Sequence, residues 1–156
     1  MEIFKDLFQT EPNWVYTLCR VVAGIIIFPY GMQKLLGWFE DFGGGVGVKK
    51  SLESFRSKKV PLVIAWLVII GQSFGSILLV VGLFGRFAAF VNFIIFTGAL
   101  LSRRKEGWVM NWAGTKKGEG IEYFILLLSF LFIVMLKGSG ALSIDLWLLA
   151  NNEVEN

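Results

Sequence analysis

The chain has 156 residues, of which 55% are hydrophobic and 17% are charged, and its formal net charge is +3. Soluble domains are usually about 45–50% apolar and about 25% charged, so this composition excludes an ordinary soluble protein. The chain has no histidine and a single cysteine, Cys19, so it lacks the commonest metal ligand and general base and cannot form an internal disulfide.

These limits predict one membrane domain over residues 1–156, without a metal site, and they favour a protein that is not itself an enzyme. Residues 1–8 have an apolar side and a charged side, which predicts a short amphipathic helix in the membrane interface or against a partner. The first span follows at about residues 14–37 and contains Arg20 and Lys34. About 21 Å of helix separates these charges, so each can lie near an opposite interface.

Three further apolar segments predict membrane spans, because about 20 apolar residues cross a hydrocarbon core of roughly 30 Å. They lie at about residues 61–84, 87–101 and 121–136 and are separated by a two-residue link and by loops at 40–60 and 102–120. Residues 141–150 follow a glycine-rich break and are expected to be interfacial or packed on the helices. The predicted fold class is all-α: an integral membrane four-helix bundle with a short amphipathic N-terminal helix.

The cationic residues predict the orientation of these spans. One side of the membrane receives eleven of them, namely Lys34, Lys49, Lys50, Arg56, Lys58, Lys59, Arg103, Arg104, Lys105, Lys116 and Lys117, and the other side receives four. By the positive-inside rule the two long loops are cytoplasmic and both termini are outside, in the cytoplasmic membrane of a bacterium or archaeon. Topology and contact with anionic lipid explain the basic loops better than nucleic-acid binding does.

Polar residues inside the spans form two candidate sites. Counted at 1.5 Å per residue, an inner polar layer combines residues at similar depth, namely Tyr30, Gln33, Lys34, Gln72, Thr97 and Glu122. This layer is either a pocket for the polar head of a quinone or lipid, or a set of contacts between helices. The second interpretation is favoured and predicts that Lys34 pairs with Glu122 and Gln72 with Thr97.

Near the outer surface, Arg20 and Asp145 are expected to form a buried ion pair that locks the C-terminal segment, with Asn92 as a further candidate of this layer. Gly71, Gly75 and Gly82 follow roughly one stripe of the second span. Small residues at such spacing permit close approach of helices in a membrane, so this stripe predicts a packing surface.

Short phrases over nearly the whole chain resemble the DoxX family of small membrane proteins. In chain order they are Arg20 with Gly31-Met32-Gln33-Lys34-Leu35, the glycine-rich stretch 43–47, Pro61, Gly82-Leu83-Phe84-Gly85-Arg86 with Ala88-Ala89, Gly118-Glu119-Gly120-Ile121-Glu122-Tyr123 and Gly138-Ser139-Gly140-Ala141-Leu142-Ser143-Ile144-Asp145. The resemblance implies a four-helix membrane bundle associated with membrane redox systems, since some members are subunits of thiosulfate:quinone oxidoreductase or of complexes that handle oxidative stress. The family often has a glutamate where this chain has Gln72, which puts a proton-transfer role at this position in doubt.

The leading functional hypothesis is an auxiliary, non-catalytic subunit of a quinone-linked membrane complex, with the bilayer and other protein subunits as partners. One alternative is a carrier or binding protein for a lipid or small hydrophobic molecule. A further alternative is a quinone-reactive oxidoreductase subunit. No cofactor of its own is expected beyond contact with quinone or lipid.

Overall fold

The computed structural model describes residues 8–39, 46–114 and 120–154. In this part of the chain the secondary structure is helical, without a strand, and the helices are α1 Trp14–Leu36, α2 Gly47–Ser57, α3 Leu62–Val81, α4 Gly85–Arg103, α5 Glu122–Lys137 and α6 Ile144–Val154. The expected amphipathic helix at residues 1–8 lies outside the described residues except for Phe8.

Three of these helices are long and apolar enough to cross a membrane. They are α1 with 23 residues, α3 with 20 and α4 with 19, and their bounds agree with the predicted spans to within about three residues. Helix α5 has 16 residues, which corresponds to about 24 Å and is shorter than a hydrocarbon core of roughly 30 Å. The chain is therefore a multi-pass membrane protein with three clear candidate spans among the described residues.

The ends of the long helices follow from capping residues. The side chain of Asn13 caps α1, because its Oδ1 accepts a hydrogen bond from the Val15 amide at 2.8 Å. Gly37 ends α1 with φ +79°, and Gly82 ends α3 with φ +73°, both in the left-handed region that favours glycine. These caps separate α3 from α4 by only three residues, so the two helices form a tight antiparallel hairpin.

Helix α2 corrects the prediction of a loop over residues 40–60. Val48, Leu52 and Phe55 recur at helical spacing and are half-buried, while Ser51 is fully buried. The helix packs against both α1 and α3 with this side, and its lysines and arginine are exposed. The segment was too polar to suggest a span, but its apolar residues at i, i+4 and i+7 were a usable signal for a surface helix.

The core lies between α1, α3, α4 and α5, which pack against one another. Its fully buried side chains include Ile27, Ile69, Leu79, Leu127, Leu131 and Val134. Large apolar side chains also cover the outside; Leu62 and Val63 are 63% and 71% exposed. A soluble protein hides such residues, whereas a bilayer accepts them, so this surface agrees with a membrane environment.

Candidate functional site

A buried polar cluster lies at the end of the molecule where α3 turns into α4, and Arg20 is at its centre. Arg20 is 1% exposed. Its guanidinium donates to the carbonyl oxygens of Leu79 and Val80, the latter at 2.7 Å. Both carbonyls belong to the last turn of α3, where helical carbonyls lack partners within the helix and the helix dipole is negative. Arg20, carried by α1, therefore caps the C-terminus of α3.

Asp145 performs the complementary task at the start of α4. Its carboxylate accepts hydrogen bonds from the amides of Phe84 at 2.8 Å and Gly85 at 2.9 Å. These amides stand at the N-terminus of α4, where free N–H groups and the positive end of the dipole favour an anion. The amide of Asp145 also donates to the Gly82 carbonyl at 2.9 Å. Asp145 therefore fixes the C-terminal segment onto the α3–α4 turn.

The expected ion pair of Arg20 and Asp145 is not a direct one. Among the described residues the ion pairs within 4.0 Å are Arg103 with Glu106 and Lys137 with Glu11. Ser139 connects the two buried groups instead: its carbonyl accepts from Arg20 Nε at 2.7 Å and its hydroxyl donates to Asp145 Oδ2 at 2.5 Å. Backbone groups at the two helix ends and the Leu142 carbonyl take the remaining hydrogen bonds of Arg20 and Asp145.

The rest of this cluster joins the loop after α5 to the start of the chain. The Arg20 guanidinium also donates to the Leu142 carbonyl, while the amide of Leu142 donates to the hydroxyl of Thr17 at 3.3 Å. The Gly140 amide donates to the Thr10 hydroxyl at 2.8 Å. Sequence reasoning missed Ser139 and Thr17, although the Gly-Ser-Gly phrase that contains Ser139 had been singled out as a break. We call the cluster of Arg20 and Asp145 with Thr10, Thr17, Ser139, Gly140 and Leu142 the outer clamp.

Asn92 does not join the outer clamp. Its side-chain amide donates to the carbonyls of Gly71 at 3.1 Å and Ala88 at 3.0 Å. Asn92 therefore links α4 to α3 about two to three turns away from the α3–α4 turn. Its side-chain carbonyl oxygen is buried and has no hydrogen-bond partner in the described part of the chain.

Only some residues of the predicted inner polar layer contact one another. The two charged residues that were expected to pair, Lys34 and Glu122, bind different partners. Lys34 is half-buried and its ammonium donates to the Tyr30 carbonyl at 3.0 Å. Glu122 is exposed, and its carboxylate accepts from the Met110 amide at 3.2 Å. The structure thus corrects the predicted Lys34–Glu122 pair: Glu122 opens α5 and binds the preceding loop, where a carboxylate suits the helix N-terminus.

Contacts between aromatic rings join α5 to α1 and to α4 at the level of this layer. The rings of Tyr30 and Tyr123 lie 6.3 Å apart between centroids. Phe96 and Phe124, the neighbours of Thr97 and Tyr123 in sequence, lie 6.4 Å apart. Tyr123 was present in a family phrase but not among the predicted site residues. Its aromatic type and its position one residue from Glu122 were the available signals.

Two predicted residues of the layer carry buried oxygen atoms without a partner. Gln72 is 5% exposed, and its Oε1 accepts no hydrogen bond from any described residue; the same holds for Thr97 Oγ1. The predicted Gln72–Thr97 hydrogen bond is therefore wrong. Gln33 is also buried, at the last turn of α1. An unsatisfied buried polar group costs about 1–3 kcal/mol, so these oxygens are unusual features of this part of the core.

The three glycines of the predicted stripe divide between two tasks. A Cβ added at Gly71 would lie 2.7 Å from Ile95 Cδ1, and one at Gly75 would lie 2.5 Å from Asn92 Nδ2. These two glycines therefore face α4. Gly82 is not part of that surface, because it ends α3 and its added Cβ would meet Ser143 Cβ at 2.6 Å.

Among the glycines inside the three candidate spans, Gly31 of α1 makes the closest approach to another helix backbone. A Cβ there would lie 2.6 Å from Ser73 Cα and 2.7 Å from the carbonyl carbon of Gln72. The Ser73 hydroxyl donates to the Gly31 carbonyl at 3.0 Å across this contact. The contact between α1 and α3 thus depends on a glycine that had been noted only within a family phrase.

Comparison with known proteins identifies one relationship. The family model described as DoxX matches residues 15–104, which is more than half of the chain and covers α1 to α4. No curated protein and no solved structure matches the chain. The matched range contains Arg20 and the α3–α4 turn that it caps, whereas the C-terminal half of the outer clamp lies beyond it.

Proposed function

Because the chain belongs to the DoxX family of membrane proteins, we propose that it is an auxiliary, non-catalytic subunit of a quinone-linked redox complex in the membrane. The main observation behind this proposal is that the buried charged side chains form hydrogen bonds with groups of the chain itself. Arg20 and Asp145 direct their hydrogen bonds to helix ends, to Ser139 and to the Leu142 carbonyl. Charged groups occupied in this way hold the fold together and are poorly placed to act on a substrate.

The composition supports the same conclusion. A catalytic redox subunit needs residues that hold or exchange electrons, most often through histidine or cysteine ligands. The chain has no histidine and only Cys19, which is buried in α1. Any electron transfer in the complex is then carried by another subunit. This chain contributes helices, a lipid-facing surface and contacts with that subunit.

The proposed arrangement has four membrane crossings with both termini outside a bacterial or archaeal cytoplasmic membrane. Contacts at and beside the outer clamp support α5 as the fourth crossing despite its length. Lys137, at the end of α5, pairs with Glu11 before α1 at 3.0 Å, and Asp145 binds the α3–α4 turn. The end of α5 is therefore level with the start of α1 and with the α3–α4 turn.

Purification of the native complex tests the main proposal. The full chain, tagged at its C-terminus, is solubilised in a mild detergent, and the proteins and quinones that remain bound are identified by mass spectrometry. We expect a redox protein to co-purify and quinone reduction to follow the whole complex. Quinone reduction by this chain alone, at the rate of the complex, would contradict the non-catalytic role.

A second candidate function rests on a separate observation, the unpartnered Gln72 Oε1. A hydroxyl-bearing polar head, such as that of a quinol or a lipid glycerol, would donate a hydrogen bond to this oxygen and remove its desolvation cost. The chain would then bind a hydrophobic small molecule within the cytoplasmic half of the bundle. This binding role is compatible with the subunit role, because a subunit without catalysis can still hold the quinol of its complex.

The binding role is tested with a conservative substitution. Gln72→Met keeps the volume and removes the oxygen, and we expect the purified variant to retain fewer quinol or lipid molecules than the wild type. Ile69→Met, one turn away and fully buried in the same helix, is the matched control and should retain the wild-type amount. Equal retention by all three proteins would exclude a ligand at Gln72.

A further inference from the structure

A groove lies between α2 and the beginning of α3, and its lining contains no residue of the two polar sites described above. Its volume is about 500 Å³. Its lining combines three charged side chains of α2, namely Lys49, Glu53 and Arg56, with four apolar ones, namely Leu52, Val60, Leu62 and Ala65. The groove therefore combines a charged end with an apolar wall, and such a lining is complementary to an amphiphilic ligand.

The charged end carries an excess of positive charge, and its cations form no ion pair within 4.0 Å with any described residue. Residues 47–59 contain five cationic side chains and one carboxylate, Glu53. The ion pairs of the described residues lie elsewhere, at Arg103 with Glu106 and at Lys137 with Glu11. The Lys49 and Arg56 side chains are exposed, so they are free to meet an anion. Seven positions separate them, and they stand two helical turns apart on one side of α2.

The apolar wall continues directly into the membrane-facing surface. Leu62 opens α3, and its side chain and that of Val63 are 63% and 71% exposed. Helix α3 is one of the candidate membrane spans. A hydrocarbon chain that follows Leu62 out of the groove therefore passes along α3 into the bilayer without crossing a polar surface.

We infer that this groove binds one anionic phospholipid, with its phosphate between Lys49 and Arg56 and an acyl chain along Leu62. Charge complementarity selects the headgroup: a phosphatidylglycerol brings a negative charge, whereas the cation of a zwitterionic headgroup would meet Lys49 and Arg56 unfavourably. The apolar wall selects a lipid over a soluble phosphate. Glu53 restricts the affinity, since its carboxylate faces the same space as the phosphate.

This site does not depend on the redox role proposed above. It would bind lipid whether the chain acts in a complex or alone. Bound lipid would hold α2, which lies between α1 and α3, at the level where α3 enters the bilayer.

Lipid titration followed by native mass spectrometry tests the inference with the full chain in detergent. Phosphatidylglycerol and phosphatidylcholine with the same acyl chains are compared, and we expect one phosphatidylglycerol to bind at least several-fold more tightly. Lys49→Gln with Arg56→Gln should weaken phosphatidylglycerol binding about 30-fold, since each cation near a membrane surface contributes roughly one kcal/mol. Glu53→Gln should strengthen it about three- to fivefold by removing repulsion.

The matched control removes the same charge outside the groove. Lys50→Gln with Lys105→Gln should change phosphatidylglycerol binding less than about threefold, because these lysines do not line the groove. An equal loss in this control would overturn the site in favour of general attraction to a basic surface. Equal binding of the two lipids, or full displacement of lipid by an equimolar amount of glycerol phosphate, would also overturn it. Helix content measured by circular dichroism identifies any variant that has failed to fold, and the Glu53→Gln result then decides.

Discussion

Arg20 and Asp145 cap opposite sides of one turn: Arg20 binds the last carbonyls of α3, and Asp145 binds the first amides of α4. Ser139 lies between them and hydrogen-bonds to both. The two charges thus match the dipoles of the two helices that meet there, since the C-terminus of a helix favours a cation and the N-terminus an anion. This arrangement ties the start of α1 and the C-terminal segment to the α3–α4 hairpin.

Removing either charge of the outer clamp should destabilise the protein strongly. Asp145→Asn and Arg20→Gln are each expected to lower the free energy of unfolding by about 1–3 kcal/mol, because each removes charge-assisted hydrogen bonds from the buried helix end that it caps. Thermal unfolding in detergent measures the change. Arg103→Gln breaks an exposed ion pair and should leave the unfolding temperature nearly unchanged. A clamp variant as stable as the control would show that the clamp contributes nothing to stability.

The hydroxyl of Ser139 should contribute separately from its carbonyl. Ser139→Ala removes the donor to Asp145 but leaves the backbone carbonyl that accepts from Arg20, so we expect a loss of about 1–3 kcal/mol. Ser129→Ala is the matched control, since the Ser129 hydroxyl is exposed and bonds only within its own helix. Similar losses in the two variants would contradict a connecting role for Ser139.

The contact of α1 with α3 should not tolerate a methyl group at Gly31. Gly31→Ala places a Cβ against the backbone of Gln72 and Ser73, and overpacking of this kind costs about 1–3 kcal/mol. Gly98→Ala is the control, because nothing lies within 4 Å of its added Cβ. Alanine also has the higher helix propensity, so this variant should keep or raise the unfolding temperature. A stable Gly31→Ala protein would show that the helices can separate at no cost.

The orientation of the chain can be checked with reporter fusions. We expect a phosphatase fused after Asn156 to be active and a fluorescent protein at the same position to be dark, because the basic loops are retained in the cytoplasm. Insertion of the phosphatase after Asn111, in the second long loop, should give an inactive enzyme. The reverse pattern at both positions would invert the proposed topology.

Much of the fold could be predicted from hydrophobicity and glycine alone. The spans at Trp14–Leu36, Leu62–Val81 and Gly85–Arg103 follow from apolar runs, since a bilayer imposes their length and composition on the sequence itself. Helix α2 was missed because its apolar residues are few and its surface is polar. The sequence predicted that Arg20 and Asp145 lie in one buried cluster, but it did not predict that Ser139 connects them.

The sequence by itself determined which residues enter the membrane and which charges must be neutralised there, because lipid cannot solvate a charge or an open backbone group. Only the tertiary structure decided the partners. Arg20 and Asp145 bind backbone carbonyls and amides, which every residue possesses, so no residue type marks them in advance. Lys34 and Glu122 turn to Tyr30 and Met110 instead of to each other for the same reason.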